Sequence, residues 1–143
     1  MPKDKELVQK GDIMCDFCKI ARHEINANIV YEDEGIMAFM DYAPINEGHI
    51  LIIPKEHMPD IDEIPDKVLY SLLDLSKRIV SALKKTYSPE GYTIMQNGGE
   101  FNDLGHYHLH VFPRYKNDGF GWTDSGKQYD CSMEVALKIK ENL

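Results

Sequence analysis

The sequence predicts a mixed fold in which several short strands pack with one long helix. Two observations support this prediction. Apolar residues recur every three or four positions from Asp66 to Tyr87, as on one face of an amphipathic helix. Elsewhere, short apolar runs end in turn residues, as strands do. The 143 residues suffice for one domain with its own core, and no internal repeat divides them.

The first half of the chain predicts antiparallel pairing. Residues 1–12 are polar and are expected to form a flexible leader, and Cys15 to Glu24 is expected to form one or two helical turns. Ile29 to Tyr31 and Ile36 to Met40 flank an acidic turn that closes in glycine, and therefore predict a hairpin. Gly48 to Pro54 predicts a third, largely buried strand that ends at the proline.

The second half continues after the long helix with two more predicted strands. These are Tyr92 to Gln96 and Tyr107 to Phe112, joined by a loop that contains three glycines. The segment Tyr115 to Asp130, which holds the sole tryptophan, Trp122, is expected to be irregular. Ser132 to Asn142 predicts a terminal helix whose packing side would hold Met133, Ala136, Leu137 and Ile139.

Composition argues against several function classes. A formal net charge of −8 disfavours broad binding to nucleic acid or to anionic membranes. No apolar run reaches the roughly 20 residues of a membrane span, and the first residues do not resemble a signal peptide, so a cytoplasmic location is expected. Three cysteines, an odd number, do not form a disulfide framework. A metal site or free thiols in a reducing compartment fit them better.

Three histidines alternate at His106, His108 and His110. Because successive side chains of a strand point to opposite faces, all three imidazoles would share one face, about 7 Å apart. Such a row fits phosphoryl chemistry, in which the central His108 would attack phosphorus and its neighbours would orient it or contact phosphate. It also fits a catalytic zinc held by all three histidines. His49 begins a neighbouring strand and could join them from the side.

This histidine row resembles the signature of the histidine triad (HIT) family of nucleotide hydrolases and transferases, in which three histidines alternate with apolar residues. The resemblance extends over about residues 13 to 122 and is strongest to the bacterial branch with an N-terminal Cys-x-x-Cys. The segments that resemble the family, in the same order, are Cys15-Asp-Phe-Cys18-Lys-Ile, Val30-Tyr-Glu-Asp, Ala38-Phe-Met-Asp41, Gly48-His49-Ile-Leu-Ile-Ile-Pro54-Lys55-Glu-His57 and Pro113-Arg114-Tyr115.

The resemblance implies an α+β fold: an antiparallel sheet of about five strands, one long helix packed on it, and short terminal helices. Residues 13–143 would form a single HIT domain with a C-terminal extension from about residue 115, normally assembled as a homodimer. The implied activity removes a nucleoside monophosphate, usually adenylate, from an amine or phosphate leaving group through a covalent intermediate on His108. His110 and His49 would support it, and a histidine at the third position favours hydrolase over transferase.

Two other functions remain open for such a chain. One is a dinucleoside polyphosphate hydrolase. The other is a non-enzymatic protein that binds a nucleotide as a signal for a partner. In each case the resemblance implies a purine nucleotide ligand, and no organic cofactor is expected.

The resemblance also assigns substrate contacts. Asp41 matches the acid that holds the ribose hydroxyls and Phe39 matches a wall of the base site, although a strand end and ordinary core are alternatives. Asn97 is a candidate for a polar contact to ribose or phosphate. Asn102, a further candidate, and Asp103 stand where the family usually has glutamine and then serine or threonine. A carboxylate at Asp103, if it pointed inward, would repel a phosphate.

Cys15 and Cys18 have the spacing of a zinc knuckle, yet a lone pair also fits core thiols or a redox pair. A closed structural zinc site needs four ligands. In the bacterial branch, the resemblance completes the site with His57 and with the first triad histidine, His106. Structural zinc is therefore the expected cofactor, whereas Cys131 stands apart as an ordinary thiol.

Overall fold

The computed structural model describes residues 15–143 and has an α+β architecture. The predicted leader, residues 1–12, lies outside the described residues. Two 3-10 turns, Ile61–Glu63 and Gly99–Phe101, supplement the helices and strands. In chain order, those are α1 Asp16–Ala21, β1 Ile29–Glu32, β2 Ile36–Met40, β3 Ile50–Pro54, α2 Asp66–Tyr87, β4 Gly91–Met95, β5 Leu109–Arg114 and α3 Met133–Lys140.

The five strands form one antiparallel sheet in the order β1-β2-β3-β5-β4, which confirms the predicted fold class. The β2–β3 pair is regular, from Ile36 opposite Pro54 to Met40 opposite Ile50. β5 is inserted between β3 and β4, although it comes last in the chain. His110 on β5 therefore has a strand on each side of it.

Each face of the sheet carries its own apolar cluster. Long-helix side chains such as Leu72 and Ile79 pack on one face, against Ala38 and Ile52 among others. Burying each such aliphatic side chain contributes roughly 1.5–3 kcal/mol. None of the helices within residues 15–143 combines the length and the hydropathy needed to span a bilayer.

The opposite face is covered by α1. Phe17 and Cys18 of α1 pack there, together with Cys15 at its N-terminus. Their partners on β2 and β3 alternate with the residues that face α2, and are Met37, Phe39, Leu51 and Ile53. Strand alternation thus sends neighbouring residues of β2 and β3 to different clusters. The short helix α1 brings its cysteines and Phe17 to the face that carries the histidines.

Two features differ from the predictions. β5 begins at Leu109, so His106 and His108 precede the strand, and the N–H of Tyr107 donates to the carbonyl of Met58. At Tyr107 the backbone is therefore hydrogen-bonded to the loop after β3, whereas pairing with β3 itself begins at Leu109. The terminal helix α3 forms where predicted, but none of its residues is buried, so its expected packing side is not covered within the described chain.

Candidate active site and metal cluster

A cavity of about 570 Å³ opens on the sheet face that α1 covers. This volume lies in the range of small-molecule sites, roughly 300–1,000 Å³. Its apolar walls include Phe17 of α1, Phe39 of β2 and Leu51 of β3. His108 and His110 line the same cavity, so the apolar slot adjoins two imidazoles.

The hydrogen bond of His108 fixes which of its nitrogens carries the proton. Its Nδ1 lies 2.8 Å from the carbonyl oxygen of His106. A carbonyl only accepts, so Nδ1–H is the donor and the neutral ring keeps its lone pair on Nε2. The side chain is only 8% exposed, and its ring meets Phe17 edge to face at 5.2 Å between centroids. Nε2 is therefore a lone-pair nitrogen on a tightly packed ring that borders the cavity.

A second hydrogen-bond chain orients His110. The backbone N–H of Ile45 donates to Nδ1 of His49, which assigns the proton of neutral His49 to Nε2. That Nε2–H donates to Nδ1 of His110 across 2.9 Å. An Asp41 carboxylate oxygen lies 3.5 Å from the same Nε2 of His49. Neutral His110 consequently holds its own proton on Nε2.

Burial keeps this pair neutral. It lowers the pKa of His49, against the opposing effect of Asp41. For His110, burial is again the largest cause, and the nearby His108 and His49 add to it, so that the pKa falls to about 4. Both rings are thus hydrogen-bonding groups at neutral pH and not cations.

Asp41 and Phe39 both line the cavity beside these histidines. One carboxylate oxygen of Asp41 accepts the N–H of Ala43, which fixes the side chain in a turn just after β2. Phe39 is buried, and its ring contacts Phe17 edge to face at 5.5 Å. The two residues predicted to contact base and ribose therefore lie together at the cavity.

The loop before the triad is held from inside by Asn102. This buried side chain accepts the N–H groups of Leu104 and Gly105 and donates to the carbonyl of Pro59. Asn102 is not among the residues that line the cavity, whereas Asp103 is. The amide thus shapes the loop, and the neighbouring carboxylate borders the cavity.

Three residues considered from sequence lie apart from the cavity. Asn97 is exposed just beyond β4 and is not among the cavity-lining residues. Trp122 and Cys131 are also exposed, on the segment that follows β5. The structure brings none of the three to the cavity.

A cluster of four potential metal ligands lies next to Phe17, whose ring contacts His106. One ligand atom from each residue lies within 4.8 Å of the others, and the residues are Cys15, Cys18, His57 and His106. Sγ of Cys15 and of Cys18 each lie 3.4 Å from Nδ1 of His106, and Sγ of Cys18 lies 3.2 Å from Nδ1 of His57. In tetrahedral zinc sites, bond lengths of about 2.3 Å to sulfur and about 2.0–2.1 Å to nitrogen separate such ligands by about 3.5 Å.

The second nitrogen of His106 supports the same interpretation of the cluster. Nε2–H donates to the carbonyl of Pro54 at 2.7 Å, so the Nδ1 lone pair faces the two sulfurs. Such a bond is the usual way in which a protein fixes a metal-binding imidazole. Since both nitrogens of His106 are engaged in this way, it is not available to join His108 and His110 around one metal. The donor set fits zinc, and the geometry favours the cluster over a three-histidine site.

A network at the C-terminal end of β5 was not foreseen from the sequence. Asn46 donates to the carbonyl of Pro113 and to the carboxylate of Asp118, which also pairs bidentately with Arg114. The Arg114 guanidinium holds the pKa of the Asp118 carboxyl far below its usual range. This network ties the segment after β5 to the loop whose backbone binds His49.

Phe17 is the other residue that sequence reasoning missed. Its ring contacts those of Phe39, His106 and His108, and it forms a wall of the cavity. The available signal was its place between Cys15 and Cys18, because two candidate ligands on a short helix also fix the position of the residue between them. Nothing in the sequence could have identified the Ile45 N–H, which is a backbone group.

This fold and site define a class of protein. Its members combine a five-stranded α+β fold with a histidine-lined cavity next to a cysteine–histidine cluster. The HIT domain family model matches residues 22–117, and the chain belongs to the HIT family. An uncharacterised HIT-like protein of Methanocaldococcus jannaschii is 44% identical over 74% of this chain and 83% of its own length. A protein named adenosine 5'-monophosphoramidase in Candida albicans is 34% identical over 90% of this chain and 91% of its own.

Solved structures show the same relationship. A HIT family protein from Bacillus subtilis superposes with a TM-score of 0.80 at 33% identity, covering 90% of this chain and 96% of that one. A zinc-bound histidine triad family protein from Mycobacterium smegmatis gives a TM-score of 0.71 at 30% identity, covering 81% and 86% of the two chains.

Proposed function

We propose that this protein is a nucleotide hydrolase that removes a nucleoside monophosphate, most readily adenylate, from an amine through a covalent intermediate on His108. The observation behind the proposal is the hydrogen bond from His108 Nδ1–H to the carbonyl of His106, which leaves a lone pair on Nε2. A nucleophilic histidine needs this neutral tautomer. Relatives named adenosine 5'-monophosphoramidase support adenylate as the transferred group.

The reaction has two displacement steps. In the first, Nε2 of His108 bonds to phosphorus while the phosphorus–nitrogen bond of the substrate breaks, and the departing amine takes up one proton from solvent. In the second, a water oxygen bonds to phosphorus, the bond to Nε2 breaks, and the water returns one proton to solvent. The positive charge that the ring gains in the intermediate is stabilised at Nδ1–H by the carbonyl of His106.

His110 acts on the phosphoryl oxygens in this proposal, and His49 holds His110 in place. With Nδ1 occupied by His49, neutral His110 offers its Nε2–H to a non-bridging oxygen, where charge develops during displacement. A pKa of about 4 means that His110 stays a neutral donor across physiological pH. His49, oriented by the Ile45 N–H, acts as a positioning residue.

The remaining cavity accommodates the nucleoside. Phe17 and Phe39 offer apolar walls for a base, and the Asp41 carboxylate retains acceptor capacity for ribose hydroxyls beyond its bond to Ala43. Asn97 and Asn102, which do not line the cavity, have no ligand contact in this mechanism.

The charge of the cavity favours one phosphate over several. Among the described residues that line it there is no lysine or arginine, whereas Asp16, Asp41 and Asp103 are present. A dinucleoside polyphosphate carries several negative charges and would meet repulsion without a cationic partner. The phosphoramidate activity is therefore preferred to dinucleoside polyphosphate hydrolysis.

A hydrolysis panel tests the proposal. Adenosine 5'-phosphoramidate, diadenosine polyphosphates and an adenylate–amine conjugate are compared side by side with wild type and His108→Asn, and trapped protein is examined by mass spectrometry. We expect turnover of the phosphorus–nitrogen substrates and an adenylate mass on wild type alone. Tight nucleotide binding with no turnover and no adduct would instead support the nucleotide-binding signalling protein.

We infer that the Cys15, Cys18, His57 and His106 cluster holds a structural zinc. When bound, the ion would link α1 to the segment just before His108 and so stabilise the cavity wall that Phe17 forms. Thiolate ligands are best preserved in a reducing compartment, which agrees with a cytoplasmic protein. Metal analysis of the purified protein tests the inference, with one zinc per chain expected.

A homodimer is a further part of the proposal. β4 is an edge strand, and Tyr92 and Ile94 on it are 48% and 39% exposed. An unpaired edge beside apolar side chains is suited to a second copy of the same chain. Sedimentation analysis of wild type and Tyr92→Lys tests this, with a shift from dimer to monomer expected in the variant.

A further inference from the structure

Asp103 is the feature of the cavity that the proposed mechanism leaves unused. It lines the cavity together with His108 and His110, the two imidazoles that contact the phosphate in the proposed mechanism. The Asn102 side chain fixes the turn that presents it, by accepting the N–H groups of the two residues that follow. Its negative charge also acts on His110, raising the pKa of that ring against the larger effect of burial. Asp103 is therefore a charge held at the reacting end of the cavity.

A carboxylate at this position conflicts with an anionic phosphate unless another charge accompanies the substrate. Asp16 of α1 lines the same cavity, and no described lining residue is lysine or arginine. The buried His108 has its lone pair on Nε2, so in the proposed mechanism the phosphorus and its leaving group bind at this end. The missing positive charge can then come from the substrate itself, on the leaving group.

We propose that Asp103 selects substrates whose leaving amine carries a second, positively charged group, as diamines and basic amino acids do. This inference rests on the proposed phosphoramidate hydrolysis and specifies its substrate class. The ammonium group of such a leaving chain pairs with Asp103 while phosphorus sits at His108. Neutral leaving groups lack this attraction, and acidic ones are repelled.

Three adenylate conjugates of similar chain length test the inference, with putrescine, n-pentylamine or aminovaleric acid as the amine. We expect kcat/KM for wild type to fall in that order, by about five- to tenfold at each step, and the differences to shrink as salt is added. Asp103→Asn should compress the order to within about twofold. Glu100→Gln is the matched control, since it removes the same charge from an exposed neighbour outside the cavity lining and should preserve the order.

Calorimetric binding of the same three conjugates to wild type and Asp103→Asn measures the charge preference independently of turnover. Equal affinities for all three in wild type, or an order that survives in Asp103→Asn, would overturn the role of Asp103. Loss of the order in Asp16→Asn alone would also overturn it, by moving the selection to α1. Charge-ordered binding without hydrolysis of any conjugate would support the role of Asp103 while rejecting the proposed hydrolase.

Discussion

The backbone carbonyl of His106 accepts the Nδ1–H of His108 at 2.8 Å, while the side chain of His106 faces the two cysteine sulfurs. One residue thus contributes its backbone to the proposed nucleophile and its ring to the cysteine–histidine cluster. The two tasks are separable by mutation because they use different groups of the same residue.

Separate substitutions of His108 and His106 should distinguish the loss of catalysis from the loss of metal binding. His108→Asn removes the Nε2 nucleophile, so we expect turnover to fall at least about a thousandfold while the metal content stays at the wild-type value. His106→Ala should lose metal, because one of four ligands is gone. Hydrolysis rates and elemental analysis of the two purified variants check this. Metal loss in His108→Asn would instead favour a catalytic metal bound by the triad.

Removing the metal should destabilise the fold. The cluster joins α1 to the loops after β3 and before β5, and Cys15, Cys18 and His106 are buried. We expect Cys18→Ser or treatment with a strong chelator to lower the thermal midpoint by about 5 °C or more. Cys131→Ser is the control, because that thiol is exposed and outside the cluster. A chelator that leaves the midpoint unchanged would argue against a bound structural ion.

The sequence predicted most of the fold because its signals are local. The apolar period of α2 and the turn between β1 and β2 depend on neighbouring residues, and the structure agrees with both. Which strand lies next to which, such as β5 between β3 and β4, is a non-local property that the resemblance implied only through the family fold. The exposure of α3 could not be foreseen either, since an amphipathic pattern does not reveal whether a partner surface exists.

The candidate site was predictable in its residue types and less so in its connections. Alternation alone suggested three equivalent rings, whereas the resemblance assigned His106 to the two cysteines, and the structure places it there. It also places His49 against His110, on the side from which His49 was expected to join the row. Those directions depend on backbone groups, the carbonyl of Pro54 and the N–H of Ile45, that no side-chain pattern encodes.

Acid should weaken the fold through His110. Burial and its neighbours lower the pKa of His110 from 6.5 to about 4. Between these values the unfolded histidine binds a proton and the native one does not, so acid favours the unfolded state. We therefore expect this contribution to the free energy of unfolding to be fully present above pH 6.5 and to decline as the pH falls toward about 4.

Urea denaturation across this pH range measures the effect in wild type and in His110→Asn. The variant should show a shallower decline, since it lacks one proton-binding group, and metal release in acid is common to both proteins. His49, whose pKa is also lowered by burial, should contribute in the same direction and persist in the variant. Parallel pH profiles in the two proteins would contradict the prediction.

Metal binding and nucleotide binding should be coupled through Phe17. Phe17 lies between Cys15 and Cys18 in the sequence. Its ring forms a wall of the cavity and packs against Phe39 and His108. If the cluster holds a metal, its loss would free α1 and therefore that wall. We expect Phe17→Ala to weaken the binding of adenosine monophosphate by about tenfold, from lost apolar contact and packing, and Phe17→Leu to weaken it less.

Removing the metal should weaken nucleotide binding in wild type more than in Phe17→Ala, where the wall is already absent. Calorimetric titration of the four preparations, wild type and Phe17→Ala with and without metal, measures this coupling. Equal losses on metal removal in both proteins would show that the cluster acts on the cavity by a route other than Phe17.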